Sequence, residues 1–121
     1  MEQRLRVSLL LQLYGAFLTE RQRTALELHY DQDFSLAEVA ELSGISRQGV
    51  YDAIHRGENL LEDAEKRLGL LGRVLDIRQR LTALDEAVES IPQTAQSAQA
   101  LRAVKAQLKD WMDVWEAEYG L

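Results

Sequence analysis

A single proline, Pro92, interrupts 121 residues, and a helix interior does not hold proline without losing about 3 kcal/mol. Seven glycines are the other strong breakers. A chain so poor in turn-formers is unsuited to alternating short strands with tight turns. With 46% hydrophobic and 28% charged residues, it also carries too much apolar material to stay disordered. The expectation is an all-α fold with a real core. Cysteine is absent and only two histidines are present, so neither a disulfide framework nor a metal site is expected, and no cofactor. Apolar runs such as Leu9 to Leu11 and Gly15 to Leu18 fall short of the roughly 18 residues a membrane span needs. Nothing at the start reads as a signal peptide, and the expectation is a cytoplasmic protein without membrane insertion.

Leu5, Leu9, Leu13 and Phe17, flanked by Leu10 and Tyr14, repeat at helical spacing and predict a first helix with one wide apolar face. Thr19 should end it. Thr19 and Gln22 form a capping box that starts a second helix, whose apolar face is Ala25, Leu26, Leu28 and Tyr30. Asp31-Gln32-Asp33 then reads as a short connection. Its carboxylates do not make a calcium loop, because the sixth and twelfth positions are Leu36 and Leu42 rather than Gly and Glu.

The next 24 residues are the most informative. Ser35 and Glu38 form a second capping box, with Phe34 and Val39 as its hydrophobic staple. Val39, Ala40 and Leu42 should face inward, and Gly44 supplies the left-handed residue that ends the helix. Ser46 caps the next helix, with Ile45 and Val50 as a staple. A short helix, a tight turn at Gly44 and a second helix entering at Ser46, which need not stop at Ile54 and can run on as a long helical extension, make a helix-turn-helix, with the small Ala40 permitting close approach. In the functional reading, the second helix enters a major groove of DNA. There Arg47 would pair with guanine, Gln48 with adenine and Ser46 with a phosphate, flanked by Tyr51 and His55. In the other reading, Ser46 is only a cap and Arg47 and Gln48 are only solvated. Both stay open here.

Charge bears on that choice. The net charge is −6 and the pI about 4.9, which disfavours holding nucleic acid by bulk electrostatics. Residues 1–57 contribute −2 of this, with six arginines (Arg4, Arg6, Arg21, Arg23, Arg47, Arg56) against eight acids. A polyanion would dock on this half.

Leu61, Ala64, Leu68, Leu71 and Leu75 continue a seven-residue apolar repeat. Val74, Ile77, Leu81, Leu84, Val88 and Ile91 resume it in a shifted register. Gly69 and Gly72 lie where the registers change, and a bend is expected near Gly72. Pro92 must end the following helix. A last helix should bury Leu101, Val104, Leu108, Trp111, Met112, Trp115 and Tyr119, and two such helices joined by a short turn should pair as an antiparallel hairpin. The expected division is residues 1–68 as the helix-turn-helix domain and 69–121 as the hairpin. The aromatic stripe reads either as hairpin core or as a partner surface. In the second reading, Leu68, Leu71, Leu75, Trp111 and Trp115 form the seam of a homodimer. No nucleophile, base and orienting group come together, and no phosphate-cradling glycine loop is present, so the chain reads as a non-enzyme. His29 reads as a partly buried structural residue.

Four runs of sequence carry a resemblance. They are Leu10-Leu11-Gln12-Leu13-Tyr14, Leu18-Thr19-Glu20-Arg21-Gln22-Arg23, Ser35-Leu36-Ala37-Glu38-Val39-Ala40 and Ser46-Arg47-Gln48-Gly49-Val50-Tyr51-Asp52. Together they resemble the YlxM family of small bacterial helix-turn-helix proteins, encoded beside the genes for the signal recognition particle GTPase and its receptor. The resemblance covers about residues 5–70. It implies a regulatory or accessory role in that targeting pathway, with a component of the particle, protein or RNA, among the partners. The helix-turn-helix is also similar to region 4 of bacterial sigma factors. Ser46, Arg47 and Val50 fit that pattern, but its later basic positions fall on Gly49, Tyr51 and Leu60. Where region 4 continues into a basic tail, this chain reads Glu58-Asn59-Leu60-Leu61-Glu62-Asp63. The leading expectation is a DNA-binding regulatory or accessory protein. The alternatives are a protein-protein adaptor that keeps the fold without specific DNA binding, and a binder of structured RNA.

Overall fold

A computed structural model describes residues 1–121. The chain is all-α, as expected: α1 (Gln3–Tyr14), α2 (Glu20–Leu26), α3 (Leu36–Ser43), α4 (Arg47–Leu68), α5 (Leu70–Glu89) and α6 (Ala98–Tyr119). It divides into two compact units, Met1–Leu71 and Gly72–Leu121.

In the first unit the caps form as their residues dictate. The Thr19 hydroxyl accepts the Gln22 N–H and the Gln22 side chain accepts the Thr19 N–H, both at 3.1 Å. Ser35 and Glu38 repeat this arrangement at the same distances. Gly44 sits at φ 68° and closes α3, and the Ser46 Oγ accepts the Gly49 N–H at 3.0 Å to open α4. These short polar bonds satisfy backbone donors that a helix start leaves without intrahelical partners.

The interior differs from the predicted stripes in two places. Helix α1 ends at Tyr14, and a 3-10 turn, Gly15–Phe17, carries the chain toward Thr19. Val7, Leu9, Leu10, Leu11 and Tyr14 are buried, whereas Leu5 and Phe17 are exposed. The cause is that α1 packs against both α4 and the segment following α2, so it buries adjacent positions rather than one row. Leu42, expected inward, is 63% exposed. Helix α3 has only eight residues and buries just Val39 and Ala40. The closest approach lies elsewhere: a Cβ at Gly57 of α4 would stand 2.7 Å from Leu26 Cδ1 of α2, so only glycine lets these helices meet so closely.

After α2 the chain widens into a π-helical turn, Glu27–Asp31. Arg4 Nη1 donates to the carbonyls of His29 and Tyr30 at 3.2 and 3.1 Å and pairs with Asp33 at 2.9 Å. The Ser8 hydroxyl reaches Asp31 at 2.7 Å. His29 is half-buried, its Nδ1 2.7 Å from the Phe34 carbonyl, a structural position as predicted.

The break after α4 falls at Gly69, not near Gly72. Gly69 takes φ 66° and its N–H reaches the Glu65 carbonyl at 2.8 Å, while Gly72 lies inside the first turn of α5. The following helix start is satisfied from a distance. Tyr14 Oη donates to Glu65 Oε1 at 2.7 Å and accepts the Leu70 N–H at 2.9 Å, and the same carboxylate oxygen accepts the Leu71 N–H at 2.9 Å. Burial and the bond to Glu65 push the Tyr14 hydroxyl pKa up. Leu71, predicted on an oligomer seam, is 1% exposed and belongs to the interior of the first unit.

In the second unit, α5 and α6 run antiparallel. Glu89 pairs with Lys105 at 3.5 Å near one end, and Arg78 Nε donates to the Leu121 carbonyl at 3.0 Å near the other. Helix α5 stops three residues before Pro92, and Thr94 and Ser97 exchange hydroxyl-to-backbone bonds at 2.9 and 3.1 Å that shape the turn into α6. The expected burial along α6 is only partly realised. Leu101 and Leu108 are buried, Met112, Trp115 and Tyr119 are half-buried, and Val104 and Trp111 are exposed. No helix is long and apolar enough to cross a membrane.

Candidate nucleic-acid interface

Ser46 caps α4 and Arg47, Gln48, Tyr51 and His55 lie within its first three turns; all five are exposed. Val50, Ala53, Ile54 and Gly57 on the opposite side are buried, so packing holds the helix while its outer face stays free. Ser46 Oγ uses one lone pair on the Gly49 N–H and keeps its own proton to donate outward. The Tyr51 and His55 rings lie 4.3 Å apart, centroid to centroid, and tilted. Gln48 is less free than the sequence implied, because its Nε2 donates to Asp52 at 3.0 Å.

Two further arginines that motif spacing did not reveal stand beside this face, on the flank of α4 that meets α2. Arg21 of α2 and Arg56 of α4 line a hollow of about 270 Å3 together with Thr19, Gln22, Gly49, Asp52 and Ala53. They are 35 positions apart in the sequence, and only the packing of α2 on α4 brings them to one hollow. The remaining signal was composition: arginines on a half-chain that uses no lysine.

The six arginines of residues 1–57 sort into two groups. Arg4 holds the π-helical turn, Arg23 of α2 pairs with Glu27, the first residue of that turn, at 3.9 Å, and Arg6 grips Glu62 through two bonds of 2.8 Å. Arg21, Arg47 and Arg56 make no bond to another side chain or to the backbone. Arg47 opens α4, and Arg21 and Arg56 line the hollow between α2 and α4.

The acidic run after His55 is likewise engaged. Glu62 is bonded to Arg6, which holds its carboxyl pKa below the usual range and raises that of the guanidinium. Glu58 accepts the Tyr30 hydroxyl, and burial together with that bond pushes the Tyr30 pKa up to about 12. Glu65 takes Tyr14. The acids that replace a basic tail thus fasten α1 and the end of α2 onto α4, and Asp63 pairs with Arg67 at 3.0 Å.

A second concavity, about 520 Å3, is lined by Ala25, Leu28, Leu42 and Ile45 with Glu20 and Arg21 at its rim. The exposure of Leu42 leaves this groove apolar.

Comparison with known proteins agrees with the fold. The profile of a family described as "Putative helix-turn-helix protein, YlxM / p13 like" matches residues 1–104. A UPF0122 protein of Thermoanaerobacter sp. strain X514 is 40% identical over 99 residues, covering 82% of this chain and 85% of its own. One of Clostridium kluyveri is 44% identical over 91 residues, covering 75% and 82%. One of Symbiobacterium thermophilum is 41% identical over 104 residues, covering 84% and 94%.

Proposed function

The chain belongs to the YlxM-like helix-turn-helix family, and from that premise we propose that its first unit binds duplex DNA through the first three turns of α4. The observation that carries this reading is the distribution of arginines. Three are engaged within the fold, and the three without partners flank one exposed helix face. Arg47 reads a guanine edge with two hydrogen bonds, and Arg21 and Arg56 neutralise phosphate on the α2 side of the helix. Ser46 donates its hydroxyl proton to a third phosphate. Gln48 contacts adenine after releasing Asp52, or orients Asp52 instead. Of the acidic residues further along α4, Glu62 opposes binding less than its charge implies, because Arg6 offsets it; Glu58 and Glu65 keep their charges while holding Tyr30 and Tyr14.

Few phosphates take part, so affinity falls gently with salt, with a slope of about −2 to −3 for two or three contacts. A selection from random duplexes at low salt tests this. An enriched sequence is expected, with Arg47→Ala costing about 1–3 kcal/mol on it and relaxing the preference at one base pair, and Arg56→Ala reducing the salt slope by about 1. Recovery of no enriched duplex overturns the reading. The same selection on structured RNA distinguishes the two nucleic acids.

The physiological setting, an accessory role in signal recognition particle targeting, rests on the family resemblance alone. The groove between α2 and the turn favours a second reading, an adaptor that takes an apolar side chain of a protein partner against Leu28, Leu42 and Ile45. Leu42→Asp would abolish that contact and leave duplex binding intact.

A further inference from the structure

Of the 17 buried apolar residues, only Val74, Leu101 and Leu108 lie in Gly72–Leu121. Two antiparallel helices bury the seam between them and leave each a further apolar row in water. Here that row is large. Leu84 of α5 is 53% exposed, and Val104, Trp111 and Val114 of α6 are 44%, 59% and 61% exposed. Exposed tryptophan amid aliphatic residues is not an ordinary solvated face. We infer that this face of the hairpin seats the same face of a second copy of the chain, so that two hairpins close one four-helix core.

Three observations select a second copy as the occupant. The first is shape. Trp111 projects beside a hollow of about 320 Å3 lined by Ile77, Leu81, Val104, Gln107, Leu108 and Trp111 itself. A knob next to a hole on one surface is satisfied on both copies at once by a two-fold axis, which seats each Trp111 in the other's hollow. An unrelated partner would need its own knob and its own hole in the same arrangement.

The second is charge. Residues 98–109 of α6 carry Arg102, Lys105 and Lys109 and no acid, whereas residues 110–121 carry Asp110, Asp113, Glu116 and Glu118 and no base. Trp111 and Leu108 stand at the boundary, near the middle of α6. A two-fold axis there aligns the two α6 helices antiparallel and sets the basic half of each beside the acidic half of the other. Parallel alignment would place like halves together.

The third is area. Two helices of about 20 residues present a face about 30 Å long and about 20 Å wide. That is roughly 600 Å2 in projection and, with side-chain relief, approaches the ~800 Å2 per partner of a standard interface. The lining of the hollow includes no charged residue and a single amide, Gln107, matching the apolar centre of homodimer interfaces. Trp111 and Val114 lie beyond residue 104, where the family match ends, so the inference concerns this chain's own tail. It stands independently of the DNA reading.

Sedimentation equilibrium of the full chain decides it. The expected mass at micromolar concentration is twice 13.8 kDa. Trp111→Glu puts a charge in the partner's hollow while its own position is solvent-exposed in the single chain, so it should keep native helical circular dichroism and weaken self-association by at least ~30-fold. Val114→Lys serves the same purpose on a smaller side chain, should Trp111→Glu lose helicity. A wild-type protein that sediments as a monomer up to about 100 μM overturns the inference. So does a dimer that both folded variants retain, because its interface would then lie elsewhere.

Discussion

The two units carry apolar residues at the same helical spacing and put them to different use. In Met1–Leu71, α4 meets α1, α2 and α3, and α1 also meets the π-helical turn. Fourteen apolar side chains are buried there. In Gly72–Leu121, α5 and α6 have each other, and residues such as Leu84 and Trp111 stay in water. A stripe states which side of a helix is apolar. It does not state whether the chain supplies enough helices to cover that side.

The contrast is measurable. Leu61, fully buried, should cost about 2–5 kcal/mol when cut to alanine, while Leu84→Ala, more than half exposed, should cost less than about 0.5 kcal/mol in the monomer. Urea midpoints at low concentration test the pair, and equal costs would erase the distinction between the units. Gly57→Ala comes next. Overpacking against Leu26, which is fully buried and must shift its Cδ1 to admit the methyl group, should cost about 1–3 kcal/mol. Alanine's better helix propensity offsets about 1 kcal/mol of that, leaving a net loss of up to about 2 kcal/mol; a raised midpoint would mean that α2 and α4 make room for the methyl group without cost.

Gly44→Val should cost about 1–2 kcal/mol through its left-handed backbone alone, since nothing lies within 4 Å of the added Cβ. A midpoint equal to that of the natural protein would dissolve the turn. The smallest effects are pH-dependent. Tyr30 has its pKa raised from 10.0 to about 12, so its contribution is complete below pH 10 and lost as pH rises toward 12. Glu62 has its pKa lowered from 4.5, so its contribution is present above about pH 4.5 and lost as pH falls through the depressed value. Melting temperatures should decline in both windows, and Tyr30→Phe and Glu62→Gln should each flatten one.

The local part of this structure was legible. Capping boxes at Thr19 and Ser35, the left-handed Gly44 and the cap at Ser46 depend on residues within four positions of each other, and spacing reveals them directly. What spacing could not reveal was pairing across the fold. Arg6 and Glu62 are 56 residues apart, so the sequence showed the acidic run after His55 only as a departure from a basic tail, and not that Glu58, Glu62 and Glu65 bond residues of the first 30 positions. The same blindness misplaced the helix break. Gly69 and Gly72 are equivalent as weak helix formers, and the choice between them is made by Tyr14 and Glu65, which cap a helix beginning at Leu70. Of the residues proposed to contact DNA, those of the helix-turn-helix were named in advance, and Arg21 and Arg56 needed the packing of α2 against α4.

The bond between Tyr14 and Glu65 also has a consequence in time. Its partners are 51 residues apart, and at roughly 5–20 residues per second a ribosome needs about 3–10 s to make the second after the first. Throughout that interval the Tyr14 hydroxyl has only water to bond, and Arg6 waits longer for Glu62 to emerge into a space where α4 can dock. Arg4 and Ser8 can fasten α1 to the π-helical turn once Asp33 is made, but the other side of α1 stays uncovered until α4 is synthesised through Glu65, the residue that also defines where α5 begins.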